Sequence, residues 1–139
     1  MEYSGDEVFD RIEILSEQGE AYIKRGKYRS ALQKFWKAYE LLPEPKTQYP
    51  SGTWLLTAIG DLNFIVGNFG AGKKNLSKAL EFPTANKNGF INFRLAQCLF
   101  ELGNKTEALI EFNKAVKLED IALFDDEDPK YRAFFDLKI

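Results

Sequence analysis

The chain has 139 residues, 45 % of them apolar and 14 % aromatic, which suffices for one domain with a core dominated by large rings. Its formal net charge of −2 is too near neutral for a nucleic-acid footprint. With no histidine and one cysteine it lacks the common zinc sites, an internal disulfide and the histidine-based nucleophile systems, so an enzyme here would have to work with carboxylates, Lys or Tyr alone.

Apolar spacings of three and four predict seven helices, over 6–25, 28–42, 53–66, 69–81, 89–102, 105–118 and 129–137. Before the first, Met1–Glu7 is acidic and carries no basic-then-apolar leader. No apolar run approaches the ~20 residues of a membrane span, so a soluble cytoplasmic protein is expected. The second helix places Ala31, Leu32, Phe35, Ala38, Tyr39 and Leu42 on one stripe. The segment 43–52, with three prolines and a glycine, is expected to be a loop.

At the start of the fourth helix, Gly67-Asn68-Phe69-Gly70-Ala71-Gly72-Lys73-Lys74 has the glycine and lysine spacing of a phosphate-binding loop. Lys74 stands where Ser or Thr must hold magnesium, and a helix precedes it instead of a strand, so a turn is expected and no nucleotide cofactor. Cys98 lies in the apolar run 95–100 and is expected to be a packed thiol. Asn104 or Thr106 could cap the sixth helix. The acidic run Asp125, Asp126, Glu127 and Asp128 lacks the spacing of a calcium loop. Followed by Pro129, it reads as a helix start, with no metal. Tyr131, Phe134, Phe135 and Leu137 are expected to cover the end of the helix stack.

A repeat runs through these elements. Ala31-Phe35-Ala38 recurs as Gly72-Leu76-Ala79 and as Ala108-Phe112-Ala115, each preceded by a glycine: Gly26, Gly67 and Gly103. Small residues let two helices cross closely, and aromatics fill the gaps between neighbouring pairs. The first copy, Gly19, Tyr22, Gly26, Tyr28, Ala31, Phe35, Ala38 and Pro43, resembles the tetratricopeptide repeat. The resemblance implies one all-α domain, an α-solenoid of three antiparallel helix pairs (about 12–45, 53–85 and 89–120) with a C-terminal capping segment over 121–139. It further implies a protein-binding module without catalytic residues, whose first helices line a concave inner face.

By repeat position that face holds Glu20 and Lys24 from the first helix, and Trp54, Thr57, Asp61 and Phe64 from the third. Phe90, Phe93, Arg94, Gln97 and Glu101 come from the fifth. Large aromatics, one Arg and scattered carboxylates suit an interface core with a polar rim, although each Phe could equally be core. Repeat domains that grip a terminal carboxylate use Lys, Asn and Arg here. This chain has Ser16 and Glu20 instead, and only Arg94 matches.

From about Leu41 onward, through 42–46, 51–61, 88–98 and 123–131, the chain is similar to short bacterial tetratricopeptide proteins encoded beside polymorphic toxins of the Rhs and contact-dependent types. That similarity implies an immunity protein, which binds and blocks a cognate toxin domain, and puts weight on Trp54, Asp61, Phe90, Arg94 and residues 125–130. The alternative is a general scaffold that binds a peptide in the groove. No nucleic acid, membrane or small-molecule substrate is expected.

Overall fold

A computed structural model describes residues 5–138. It contains α1 (Gly5–Lys24), α2 (Tyr28–Leu41), α3 (Pro50–Ile65), α4 (Phe69–Ala79), α5 (Gly89–Glu101), α6 (Lys105–Leu118) and α7 (Pro129–Lys138). Three short 3₁₀ turns, Lys46–Gln48, Pro83–Lys87 and Ile121–Phe124, join the pairs and lead into α7. Helices α1 and α2, α3 and α4, and α5 and α6 pack as pairs. The pairs stack through α2 on α3 and α4 on α5, and α7 closes the stack against α6. This is the expected all-α architecture of three helix pairs and a capping helix.

Glycine makes the turn within each pair. Gly26, Gly67 and Gly103 have φ of 71°, 82° and 86°, a region that costs an L side chain strain. The phosphate-loop-like segment is therefore a helix–turn–helix, with Asn68 capping α4 through its side-chain oxygen, which accepts from Ala71 N at 3.2 Å. Asn104 occupies the matching position before α6 but makes no side-chain cap. Thr106 lies inside that helix.

Two expectations need correction at the first inter-pair connection. Helix α3 begins at Pro50, three residues before the expected start, because proline suits the first helical position, where no N–H is required. Gly52 then lies inside α3 and is buried, with no room for a Cβ beside the Phe82 ring.

Glycine and alanine also decide how closely the helices approach. A Cβ on Gly19 would sit 2.8 Å from the Phe35 ring. A Cβ on Gly72 would sit 2.7 Å from Cys98 Sγ and 3.4 Å from the Gly60 carbonyl oxygen. In the third pair Ala96 and Ala108 are completely buried. Helix α5 is buried over every residue from 91 to 99, because α3, α4, α6 and the C-terminal segment all pack on it. Cys98 is a packed thiol there, and burial pushes its pKa up to about 12.

Phe112 forms the centre of the capping cluster. Phe93, Phe124, Tyr131, Phe134 and Phe135 surround it with ring centroids 5.2–6.4 Å away. Each buried ring contributes roughly 1.5–3 kcal/mol. Leu137, expected in this cap, is instead 83 % exposed, since the end is already filled by Phe134, Phe135 and the unforeseen Phe124.

Two measurements check this packing. Gly72→Ala should lose about 1 kcal/mol in urea unfolding, because overpacking against Cys98 outweighs the gain in helix propensity. Gly70→Ala should gain about 0.5–1 kcal/mol, since its Cβ would meet open space. Cys98 should resist a thiol reagent such as Ellman's in the native protein and react stoichiometrically in denaturant.

Candidate functional site

The inner face is built by α1, α3 and α5, and the structure divides the expected residues into two groups. On α1, Glu20 and Lys24 are exposed. Trp54, Thr57, Asp61 and Phe64 stand three, four and three residues apart along α3, which puts them on one stripe. Trp54 rests edge-on against buried Phe35 at 5.7 Å, yet is 46 % exposed. The Thr57 hydroxyl bonds back to the Thr53 carbonyl at 2.7 Å. The Ser16 hydroxyl does the same on α1, toward the Ile12 carbonyl at 2.8 Å.

The second group is withdrawn from solvent. Phe93 is buried in the capping cluster, with its ring 4.9 Å from that of Phe124. Gln97 is completely buried. Both therefore leave the surface that a partner could touch, because residues 119–138 fold over α5. Phe90 is half-buried under Arg94.

Arg94 organises the region. Its guanidinium lies 4.5 Å from the Phe64 ring centre and 4.9 Å from that of Phe90, in cation–π range of both. Its Nη1 donates to Gln97 Oε1 at 2.7 Å and to Glu127 Oε1 at 2.8 Å. Gln97 Nε2 donates to the same Glu127 oxygen at 2.7 Å. Nε lies 2.8 Å from Asp61 Oδ1 as an ion pair, without the alignment of a hydrogen bond. Burial raises the pKa of Asp61 above the usual carboxylate value, Arg94 opposes that rise, and Glu127 adds to it. One cation thus joins α3, α5 and the segment before α7.

The acidic run divides in the same way. Asp125, Asp126 and Asp128 are exposed, whereas Glu127 turns inward to Arg94. Asp128 accepts from Lys130 N at 3.0 Å and so serves the start of α7, as the sequence implies. Glu101 accepts from the Tyr131 hydroxyl and pairs with Lys130 Nζ, both at 2.8 Å. Burial, and then that bond, hold the Tyr131 hydroxyl in its neutral form, its pKa raised well above the phenolic value. The sequence marks Glu127 within the acidic segment but does not pair it with Arg94, a contact only the fold makes. The available signal was Arg94, the one basic residue of α5, set among the mostly apolar residues 90–99 and so in need of a carboxylate.

Arg94→Ala should cost about 2–4 kcal/mol in urea unfolding, because Asp61 and Glu127 would be left half-buried without their cation. A loss under about 0.5 kcal/mol would mean that water already screens the cluster.

Comparison with known proteins agrees with this geometry. Residues 89–120, which form the third pair, match the tetratricopeptide repeat family model. No curated protein matches the chain in sequence. The first such repeat domain of Spaghetti (RPAP3), solved with an HSP90 peptide, is 18 % identical, with a TM-score of 0.74 over 92 % of this chain and 93 % of that one. The Yersinia enterocolitica type III secretion chaperone SycD, solved with a peptide of the translocator YopD, is 18 % identical, with a TM-score of 0.73 over 92 % of each chain. The Arabidopsis OM64 domain is 16 % identical, with a TM-score of 0.72 over 94 % of this chain and 95 % of that one. The chain therefore has the fold of the tetratricopeptide repeat proteins, three helix pairs closed by a capping helix.

Proposed function

We propose that the chain is a protein-binding module that acts as an immunity protein, docking a cognate toxin domain on its inner face and blocking it in the cytoplasm. The observation that carries this reading is the half-exposed Trp54, resting edge-on against Phe35 at the head of the stripe Thr57, Asp61 and Phe64. A large ring packed against a neighbour loses little entropy on binding, which is why Trp so often anchors interfaces. Glu20, Lys24, Phe90, Glu101, Asp125, Asp126 and Asp128 would form the surround.

Two further points support a folded partner. The inner face of the third pair is already occupied by the chain's own Glu127 and Tyr131, which shortens any groove available to an extended peptide. The stretches 42–46, 51–61, 88–98 and 123–131 are also those that resemble proteins encoded beside polymorphic toxins. A second reading, an adaptor that binds a peptide segment, draws on the peptides held by the similar RPAP3 and SycD domains.

Co-expression with the product of the neighbouring toxin gene separates the two. The immunity reading expects a co-purifying complex and loss of toxicity, with Trp54→Ala weakening calorimetric binding by about 2 kcal/mol, or ~30-fold. A neighbouring toxin domain that is neither bound nor silenced refutes it, and binding confined to short peptides selects the adaptor.

A further inference from the structure

The outer side of the stack, away from the inner face, carries a second surface. A trough runs between α4 and α6, floored by α5. It consists of two adjoining clefts of about 330 and 460 Å³ that share Leu80. The floor of the first cleft is aliphatic, with buried Leu95 and Leu99 beside Leu80, and buried Asn92 lies in the second. On the α6 wall, Ile110 is 50 % and Leu118 47 % exposed. Single exposed apolar residues are ordinary. These two, however, line the same trough, eight residues apart, which places them two helical turns apart on one side of α6.

The charge along the trough is mixed but weighted toward lysine, with Lys73 against Glu107 and Glu111 in the first cleft and Lys114 and Lys117 in the second. Helix α4 carries Lys73, Lys74 and Lys78 and no carboxylate. Among the described residues, Lys73, Lys74 and Lys117 make no ion pair. Among the described residues, two carboxylates line the trough, both in the first cleft. Glu111 is already held by Asn92 Nδ2 at 3.0 Å and Lys114 Nζ at 3.3 Å, which leaves Glu107 against the lysine surplus.

We propose that this trough is a second docking surface, which receives an amphipathic helix of a partner protein: apolar residues two turns apart enter between α4 and α6, and flanking Asp or Glu meet Lys73, Lys114 and Lys117. Charge complementarity selects an acidic helix, and the exposed Ile110 and Leu118 supply the apolar anchors. A single-stranded nucleic acid needs aromatic platforms for its bases, and among the described residues no aromatic side chain lines either cleft. The trough lies across the stack from Trp54, so its occupancy does not depend on the inner-face partner.

The test uses the full chain and a labelled synthetic helix of about 18 residues, Leu on one stripe and Glu on its flanks, against a twin with Lys flanks. Fluorescence anisotropy should give the Glu helix at least about tenfold tighter binding at roughly 50 mM salt, a gap that closes near 500 mM. Lys73→Glu with Lys117→Glu, and separately Ile110→Ser, should each weaken binding about tenfold at unchanged melting temperature, while Trp54→Ala should have no effect. Equal affinity for the two helices overturns the proposal. So does sensitivity to Trp54→Ala in place of the lysine reversals, displacement by a short single-stranded DNA of equal affinity, or sedimentation showing that copies of the chain occupy the trough themselves.

Discussion

A guanidinium set between two phenyl rings inside a helical stack must find its counter-charge within the protein, because water cannot supply it. Arg94 meets that demand from two directions at once, Asp61 on α3 and Glu127 just before α7. The consequence is architectural. The second pair, the third pair and the capping segment are fastened through one side chain, so the inner face is not an open groove along its length. Gln97 completes the arrangement by donating to Glu127 while accepting from Arg94, which leaves it buried without loss. Burial, with Glu127 adding to it, raises the Asp61 pKa against the pull of the nearby cation.

That fastening bears on what the protein can bind. Closing much of the third pair leaves most of the open inner face on the first and second pairs, where Trp54 is the largest exposed ring among the described residues. The charged side chains are also sorted by layer. Helix α1 and residues 119–138 are rich in carboxylates, whereas α2, α4 and α6 carry most of their charge as Lys and Arg. A stack built this way presents acid and base on different sides even though the net charge is small.

The repeat was legible because its determinants are local. Gly26, Gly67 and Gly103 take positive φ, and the Ala-Phe-Ala spacing sets where helices cross; both are written into short windows of sequence. Pro50 shows the limit of reading composition, since a proline in a loop-like stretch can equally open a helix. Gly70 and Gly72 look alike in the chain, yet Gly72 meets Cys98 and the Gly60 carbonyl while Gly70 meets nothing within 4 Å. No window around either one contains that difference.

By itself, then, the sequence determined helix, turn and repeat, and which positions lie on the inner helices, because those follow from spacing along one chain. Tertiary structure alone decided which of those positions face solvent. Trp54 and Phe93 are both inner-helix aromatics, but Phe93 is covered by Phe124, a contact made across 31 positions of chain. Of four consecutive acids, only Glu127 turns toward Arg94. Burial and charge pairing are properties of neighbours in space, and the return of residues 119–138 over α5 chose those neighbours.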